Sequence, residues 1–242
     1  MDFVRIDYTA AVKDGRVFDT TDAEIAKKED IFDSKRVYRP LPVIVGEGQV
    51  VKGLDEALSG MNAGEEKELE LLPEKAYGVR DVNLIRLVPI KVFKQQGINP
   101  IPGMPVELDG RHAKIQTVAG GRVRVDFNNE LAGKTLKYKV KVVSKAASDD
   151  EKAVFLLERS FNDSEGFVIK ITGRKAAVDV PEKAFRDRNI LFRKASLSAE
   201  LFKYLSLEEV DYAEKWVNSK PSGGSGEAEP VDAESVEAEE SK

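Results

Sequence analysis

Two runs of strict alternation, KELELL at 67–72 and LKYKVKVV at 136–143, constrain this chain more than any other feature. Apolar residues at every second position read as half-buried β-strands, because alternate side chains of a strand face one core. The runs match in character, yet residues 73–135 separate them. Loops within a compact domain are far shorter than that, so the pair predicts one sheet interrupted by an inserted unit. The departure point is PEKAYGVRD at 73–81, where Tyr77 stands beside Gly78 just after the first run. By pattern alone that tyrosine is either core or the rim of a site.

Upstream, FVRIDYTAAV and VFDT read as strands joined by the turn KDGR, and LPVIVG resumes an extended pattern after a charged excursion at 20–40. In VVKGLDEALSGM, residues Val51, Leu54, Ala57, Leu58 and Met61 recur at helical spacing, with Gly60 or Gly64 placed to end the helix. Strands, one short helix, then more strand predict an antiparallel sheet with a helix packed across it. Inside the interruption, GINPIPGMPVELDGR is rich in Pro and Gly, while HAKIQTV and GRVRVDFN read as strands turned at Ala119-Gly-Gly. Beyond residue 147, Ser148-Asp-Asp-Glu151 is a capping box ahead of the helix KAVFLLERSF. EGFVIKIT and AAVDVP read as strands, PEKAFRDRN as a short helix and SLEEVDYAEKWVNSK as a final amphipathic helix. The predicted organisation is α+β: residues 1–83 with 132–147, a β-rich insertion at 84–131, a small α+β unit at 148–218 and a tail at 219–242.

Composition narrows the chemistry. There are no cysteines, so neither a disulfide framework, a thiolate nucleophile nor a zinc–thiolate site is available. His112 is the single histidine, which leaves no multi-histidine metal site and few histidine-based acid–base schemes. The start lacks a signal-peptide pattern and no run has bilayer-spanning length, so a cytoplasmic protein without membrane partners is expected. Residues 219–242 hold seven acidic and two basic residues, the whole of the formal net charge of −5. The remainder is neutral and predicts no nucleic-acid partner. The tail, rich in Gly, Ser, Pro, Ala and Glu and without aromatics, is expected to stay unfolded.

GEGQVVKG at 46–53 has neither the spacing of a dinucleotide fingerprint nor the Gly-Lys-Ser/Thr ending of a phosphate loop, so its glycines read as turn formers. Asp19, after the apolar Val17-Phe18, reads either as a strand-ending turn residue or as a partly buried acid. Tyr8, Phe18, Tyr77 and Tyr138 fall on or just past predicted strands, and pattern alone would assign them to the core.

Taken in order, YTAAVKDGRVFDT, LPVIVGEGQVVKGLDEALSGMNAGEEKELELLPEKAYG and LKYKVKVV resemble the FKBP-type peptidyl-prolyl cis-trans isomerases across almost all of residues 1–83 and 132–145. The segment opened by NLIRLVPIKVF and closed by DFNNELAGKTLKY resembles the insert-in-flap domain of SlyD-like and long archaeal members, and the additional C-terminal unit looks most like the archaeal branch. The resemblance implies a half-barrel antiparallel sheet wrapped on a short helix. It implies a proline pocket from Tyr8, Phe18, Asp19, Val50, Val51, Leu54, Tyr77 and Tyr138, with Leu41 at a position often aromatic. Leu54 stands where tryptophan is common in single-domain members, a departure that leaves proline binding but not macrolide binding to be carried over.

The implied activity is rotation about X-Pro bonds, with no cofactor and no metal, because the barrier of about 20 kcal/mol arises from amide resonance and no bond need be made. The insertion is expected to capture unfolded or partly folded polypeptides through Pro89, Val92, Phe93, Met104, Val106 and Phe127, unless these only fill a small core. Two further expectations are a binding-only chaperone with a vestigial pocket and an assembly module. The latter would be a homodimer through the apolar helices KAVFLLERSF and EEVDYAEKWV of the C-terminal unit.

Overall fold

The computed structural model describes residues 1–162 and 164–217 as a mixed α+β chain with three sheets. The tail expectation for 219–242 lies outside the described residues.

The first sheet is antiparallel and contains both alternating runs. Its long central strands are β1 (Phe3–Val12) and β9 (Leu136–Ala146), which pair along their full length. The far edge of β1 is shared by β2 (Val17–Thr20) and β3 (Leu41–Ile44), and β4 (Glu66–Leu71) pairs with β9. Between β2 and β3 the charged excursion contains a short helix, α1 (Ala23–Lys28), started by the Asp22 carboxylate, which accepts from the Glu24 and Ile25 amides. A second helix, α2 (Lys52–Leu58), buries Leu54 and Leu58 against the sheet, and Met61 is buried just beyond it. Val4, Ile6, Val140 and Val142 meet it from the sheet, so the period of two and the period of 3.6 converge on one core.

Of the glycines in GEGQVVKG, Gly46 and Gly48 do sit at positive φ, +91° and +63°, and their amides donate to the Asp55 carboxylate. An internal anion thus occupies the amides that a phosphate would need. Gly53 is different, and its reading as a turn former needs correcting. Its φ is ordinary, but a Cβ there would lie 2.6 Å from Leu71 Cδ2 and 3.1 Å from Lys75 Cβ. Gly53 lets α2 approach the end of β4.

The insertion forms its own four-stranded sheet, in the order β5 (Ile85–Pro89), β8 (Arg122–Asp126), β7 (Arg111–Ala119) and β6 (Pro105–Leu108), with α3 (Ile90–Gln95) across it. Gly120 and Gly121, at φ +57° and +72°, turn β7 into β8 where Ala119-Gly-Gly predicted. Its core is separate, built from Phe93, Val106, Leu108, Ile115, Val123 and Val125.

In the C-terminal unit the capping box at Ser148 and Glu151 starts α4 (Asp149–Phe161) as expected. The strands β10 (Val168–Thr172) and β11 (Lys175–Val180) form a hairpin, after which Glu182–Arg186 makes one short 3₁₀ turn. The last expectation fails. The long helix is α5 (Ile190–Leu205), and the segment read as a final helix contains a strand, β12 (Glu209–Glu214), parallel to β11. Val210 and Tyr212 turn inward on alternate positions, so the period was two and the glutamates around them mimicked a helical surface. The dimer expectation built on two apolar helices changes with it: α4 spends Phe155, Leu156 and Leu157 on its own core, and EEVDYAEKWV supplies no helix.

This unit does not stand apart. Phe3, Ile44 and Ala146 of the first sheet belong to the same core as Phe155, Leu157 and Leu201. The Phe3 ring meets Phe155 edge-on at 5.4 Å and Tyr204 at 5.6 Å. Among the described residues no helix is long and apolar enough to cross a membrane.

Candidate functional site

The residues singled out for the pocket come from five places in the chain and meet on the helix side of the first sheet. Pairing of Ala10 with Tyr138 and of Tyr8 with Val140 puts Tyr8 and Tyr138 on adjacent strands, with ring centroids 6.1 Å apart. Phe18 enters from β2 and meets Tyr138 edge-on at 6.4 Å. Leu54 and Tyr138 are buried, and Tyr8, Phe18, Leu41, Val50 and Val51 are half-buried against the same cluster. Val51 caps α2, so its N–H has no acceptor within the helix.

A polar rim borders this cluster. The Tyr8 hydroxyl donates to Asp19 Oδ2 at 2.5 Å, and Arg36 Nη1 donates to Asp19 Oδ1, also at 2.5 Å. Both carboxylate oxygens are therefore engaged, and the Asp19 side chain is held in one orientation. Burial, reinforced by the neighbouring Asp19 charge, pushes the Tyr8 phenol well above the ordinary tyrosine range. Burial does the same for Tyr138, where the Tyr77 phenol adds to it. Both hydroxyls stay protonated at neutral pH and remain hydrogen-bond donors.

Tyr77 follows the 3₁₀ turn Pro73–Lys75 and is 39% exposed, with its phenol neighbouring that of Tyr138. Gly78, at φ +78°, turns the chain there; its amide donates to the Pro73 carbonyl at 2.7 Å, and its carbonyl accepts from Gly133 at 2.8 Å. That last bond closes the neck of the insertion.

Arg36 escaped sequence reasoning because it lies in the charged excursion, where nothing in one dimension ties it to Asp19. The Lys-Arg-x-Tyr run offered one faint signal, since the guanidinium also lies 5.4 Å from the Tyr38 ring.

The six residues assigned to a capture face in the insertion do not form one. Phe93 is 0% and Val106 7% exposed, both in the core of that small unit. Met104 and Phe127 are half-buried against it, Val92 is half-buried on α3, and Pro89 is exposed at the end of β5. Arg86 and Arg111 lie over the Phe127 ring at 5.4 and 5.1 Å. The exposed large apolar side chains here are Leu87 and Ile101, which pattern reading passed over. Among the described residues no group of three His, Cys, Asp or Glu side chains gathers as metal ligands.

The site has apolar walls, protonated phenols and one oriented carboxylate, a set suited to binding and orienting an amide rather than attacking it. Comparison with known proteins agrees with that chemistry. The family description "FKBP26, IF domain" matches residues 86–131, and "FKBP26_C-terminal" matches residues 149–217. A short-type peptidyl-prolyl cis-trans isomerase of Methanocaldococcus jannaschii is 44% identical over 141 residues, covering 58% of this chain and 89% of that protein. The FKBP-type peptidyl-prolyl cis-trans isomerase SlyD of Helicobacter pylori is 34% identical over 128 residues, covering 50% of this chain and 68% of its own. With the interrupted sheet, the helix across it and relatives that align over most of their length, the chain belongs to the FKBP-type peptidyl-prolyl cis-trans isomerases.

Proposed function

We propose that the enzyme isomerises X-Pro bonds of folding polypeptides over the Tyr8–Phe18–Leu54–Tyr138 cluster, and that the inserted unit holds unfolded segments beside it. The observation that carries this reading is an apolar cluster bordered by one fully bonded carboxylate, Asp19 between Tyr8 and Arg36. Phe18, Val50, Val51, Leu54 and Tyr138 receive the pyrrolidine ring and strip water from the amide. The twisted transition state has lost resonance and carbonyl charge, so leaving water disfavours it less than the planar ground state. The Tyr77 hydroxyl and the Val51 N–H donate to substrate carbonyls, Asp19 and Tyr8 shape the polar rim, and Leu41 borders it.

Unfolded or partly folded polypeptides containing proline are the partners in this reading, met in the cytoplasm, with neither nucleic acid nor membrane among them. Capture falls to Leu87, Ile101 and Pro89, with Val92, Met104 and Phe127 at their margin, while Phe93 and Val106 hold the unit's shape. A small exposed apolar surface of this kind raises the local concentration of a client at the pocket. A second copy of the chain is a further partner of the C-terminal unit, supported by Leu191 and Phe192, 78% and 75% exposed at the start of α5. Sedimentation of the full chain against a Leu191→Glu, Phe192→Glu variant tests it.

A protease-free isomerisation assay on a tetrapeptide and on a protein with proline-limited refolding tests the main reading. Tyr77→Phe and Asp19→Ala should each lower turnover without unfolding the enzyme; unchanged rates for both remove their roles. Deleting residues 84–131 should spare the tetrapeptide and sharply reduce the protein substrate. Equal loss on both contradicts capture, and protein binding without any isomerisation favours a holdase.

A further inference from the structure

A cleft of about 540 Å³ opens between the 35–43 segment and the C-terminal end of α4. Lys35, Arg36, Arg39 and Arg159 line it, and among the described residues no carboxylate does. It adjoins the isomerase site through two residues: Leu41, which packs on the apolar cluster, and Arg36, which holds Asp19.

The four cations are unequally committed. Arg36 is bound to Asp19 at 2.5 Å. Arg39 lies 3.6 Å from Glu158 Oε1, while Arg5 holds the other oxygen of that carboxylate at 2.7 Å. Arg159 lies 3.5 Å from Glu200, and its Nη1 is buried without a hydrogen-bond partner. The Lys35 ammonium has no carboxylate partner among the described residues. A buried guanidinium N–H normally has an acceptor, and leaving one without costs free energy. Among the described residues the charged lining of the cleft is thus wholly cationic, its side-chain oxygens being the neutral ones of Thr21, Gln49 and Asn162, while Glu200 Oε2, beside Arg159, is likewise buried without a partner.

We propose that this cleft is a specificity subsite that takes an acidic side chain, Asp or Glu, from the substrate segment flanking the proline, with Lys35, Arg39 and Arg159 as its ligands. The assignment rests on the isomerase site proposed above. Carboxylate is the ligand class because guanidinium and ammonium donors converge there with apolar Val37, Pro40 and Leu41 around them, matching the charged end and aliphatic stem of a glutamate. Arg39 and Arg159 are half-buried, so their pairs are screened less than those on an open surface, whereas Lys35 is exposed.

The test uses the full chain and peptides with one X-Pro bond that carry Glu, Gln or Lys at the positions flanking it. Turnover of the Gln peptides by itself tests the isomerase reading. At low salt the Glu peptides should exceed their Gln counterparts in kcat/KM by about fivefold, the size of one partly exposed ion pair, mainly through KM. The Lys peptides should fall below both, and the ranking should flatten at high salt. Lys35→Glu, at an exposed turn, should move the ratio toward the Lys peptides, and Arg159→Gln should shrink it. Equal kcat/KM for the three peptides, or a Glu advantage that survives both substitutions, overturns the subsite and leaves the isomerase reading to the Gln result.

Discussion

The Tyr8 hydroxyl donates to a carboxylate that already holds a guanidinium, so the phenol is useful only while it keeps its proton. Tyr8 and Tyr138 both have their ionisation pushed above the ordinary value of 10.0, chiefly by burial. The unfolded chain therefore releases these protons first as pH rises, and the folded state binds more of them above about pH 10. Stability should be level through neutral pH and fall once pH passes 10, with a gentler slope in Tyr8→Phe and Tyr138→Phe; urea midpoints taken across the alkaline range measure it. Slopes identical to the wild type would mean that neither phenol titrates late in the folded state. Gly53 gives a second prediction at this scale. An alanine there gains up to about 1 kcal/mol of helix propensity, but its Cβ would meet Leu71 at 2.6 Å and the Lys75 carbonyl at 3.2 Å. Leu71 is buried, so moving its methyl presses on the core, and overpacking costs about 1–3 kcal/mol, so denaturant unfolding should find Gly53→Ala less stable.

Among the elements, the two crossings between sheet and insertion are tied by one carboxylate. Asp126, at the end of β8, accepts from Arg80 on the outgoing segment of the neck, from Gln116 at 3.0 Å and from the Asn128 amide and side chain, while Asn128 also donates to the Asp81 carbonyl. Burial alone would raise its carboxyl, yet the Asn128 bonds and the Arg80 charge hold it below the ordinary carboxylate value. Its contribution is present above that value and lost as pH falls through the lowered one. Asp126→Ala should cost about 2 kcal/mol, within the range for hydrogen bonds to a charged group. By loosening the neck it should reduce activity on an unfolded protein more than on a tetrapeptide, and equal reductions would count against a role in holding the insertion. The same elements explain what the sequence disclosed. KELELL and LKYKVKVV were legible because one face of each is buried and the other solvated. Phe93 and Val106 were misassigned because an apolar residue in a small unit looks the same whether it fills the core or faces a client. The α5/β12 order was missed because Val210 and Tyr212 offer only two inward positions among acidic neighbours. Arg36 was illegible because its partner Asp19 is close only after β2 and the excursion fold back on each other.

At the scale of the whole molecule, cooperativity should follow the cores rather than the order of the chain. Phe3, Ile44 and Ala146 are buried among α4 and α5, and Arg5–Glu158 at 2.7 Å and Lys203–Glu47 at 2.5 Å link the same two parts. The insertion shares no core residue with either, since its buried cluster runs from Phe93 to Val125. The first sheet and the C-terminal unit should therefore unfold together, and the insertion on its own. Phe3→Ala removes a ring that meets both Phe155 and Tyr204, a loss of about 3–5 kcal/mol for a buried phenylalanine. In calorimetry it should lower the larger transition as a whole and leave the smaller one in place, and deleting residues 84–131 should remove only the smaller. If Phe3→Ala instead split the larger transition into two, the sheet and the C-terminal unit would be only loosely coupled. Lys35 and Arg39 would then face an Arg159 that moves independently of them, and the acidic-residue preference should weaken in that variant alongside its stability.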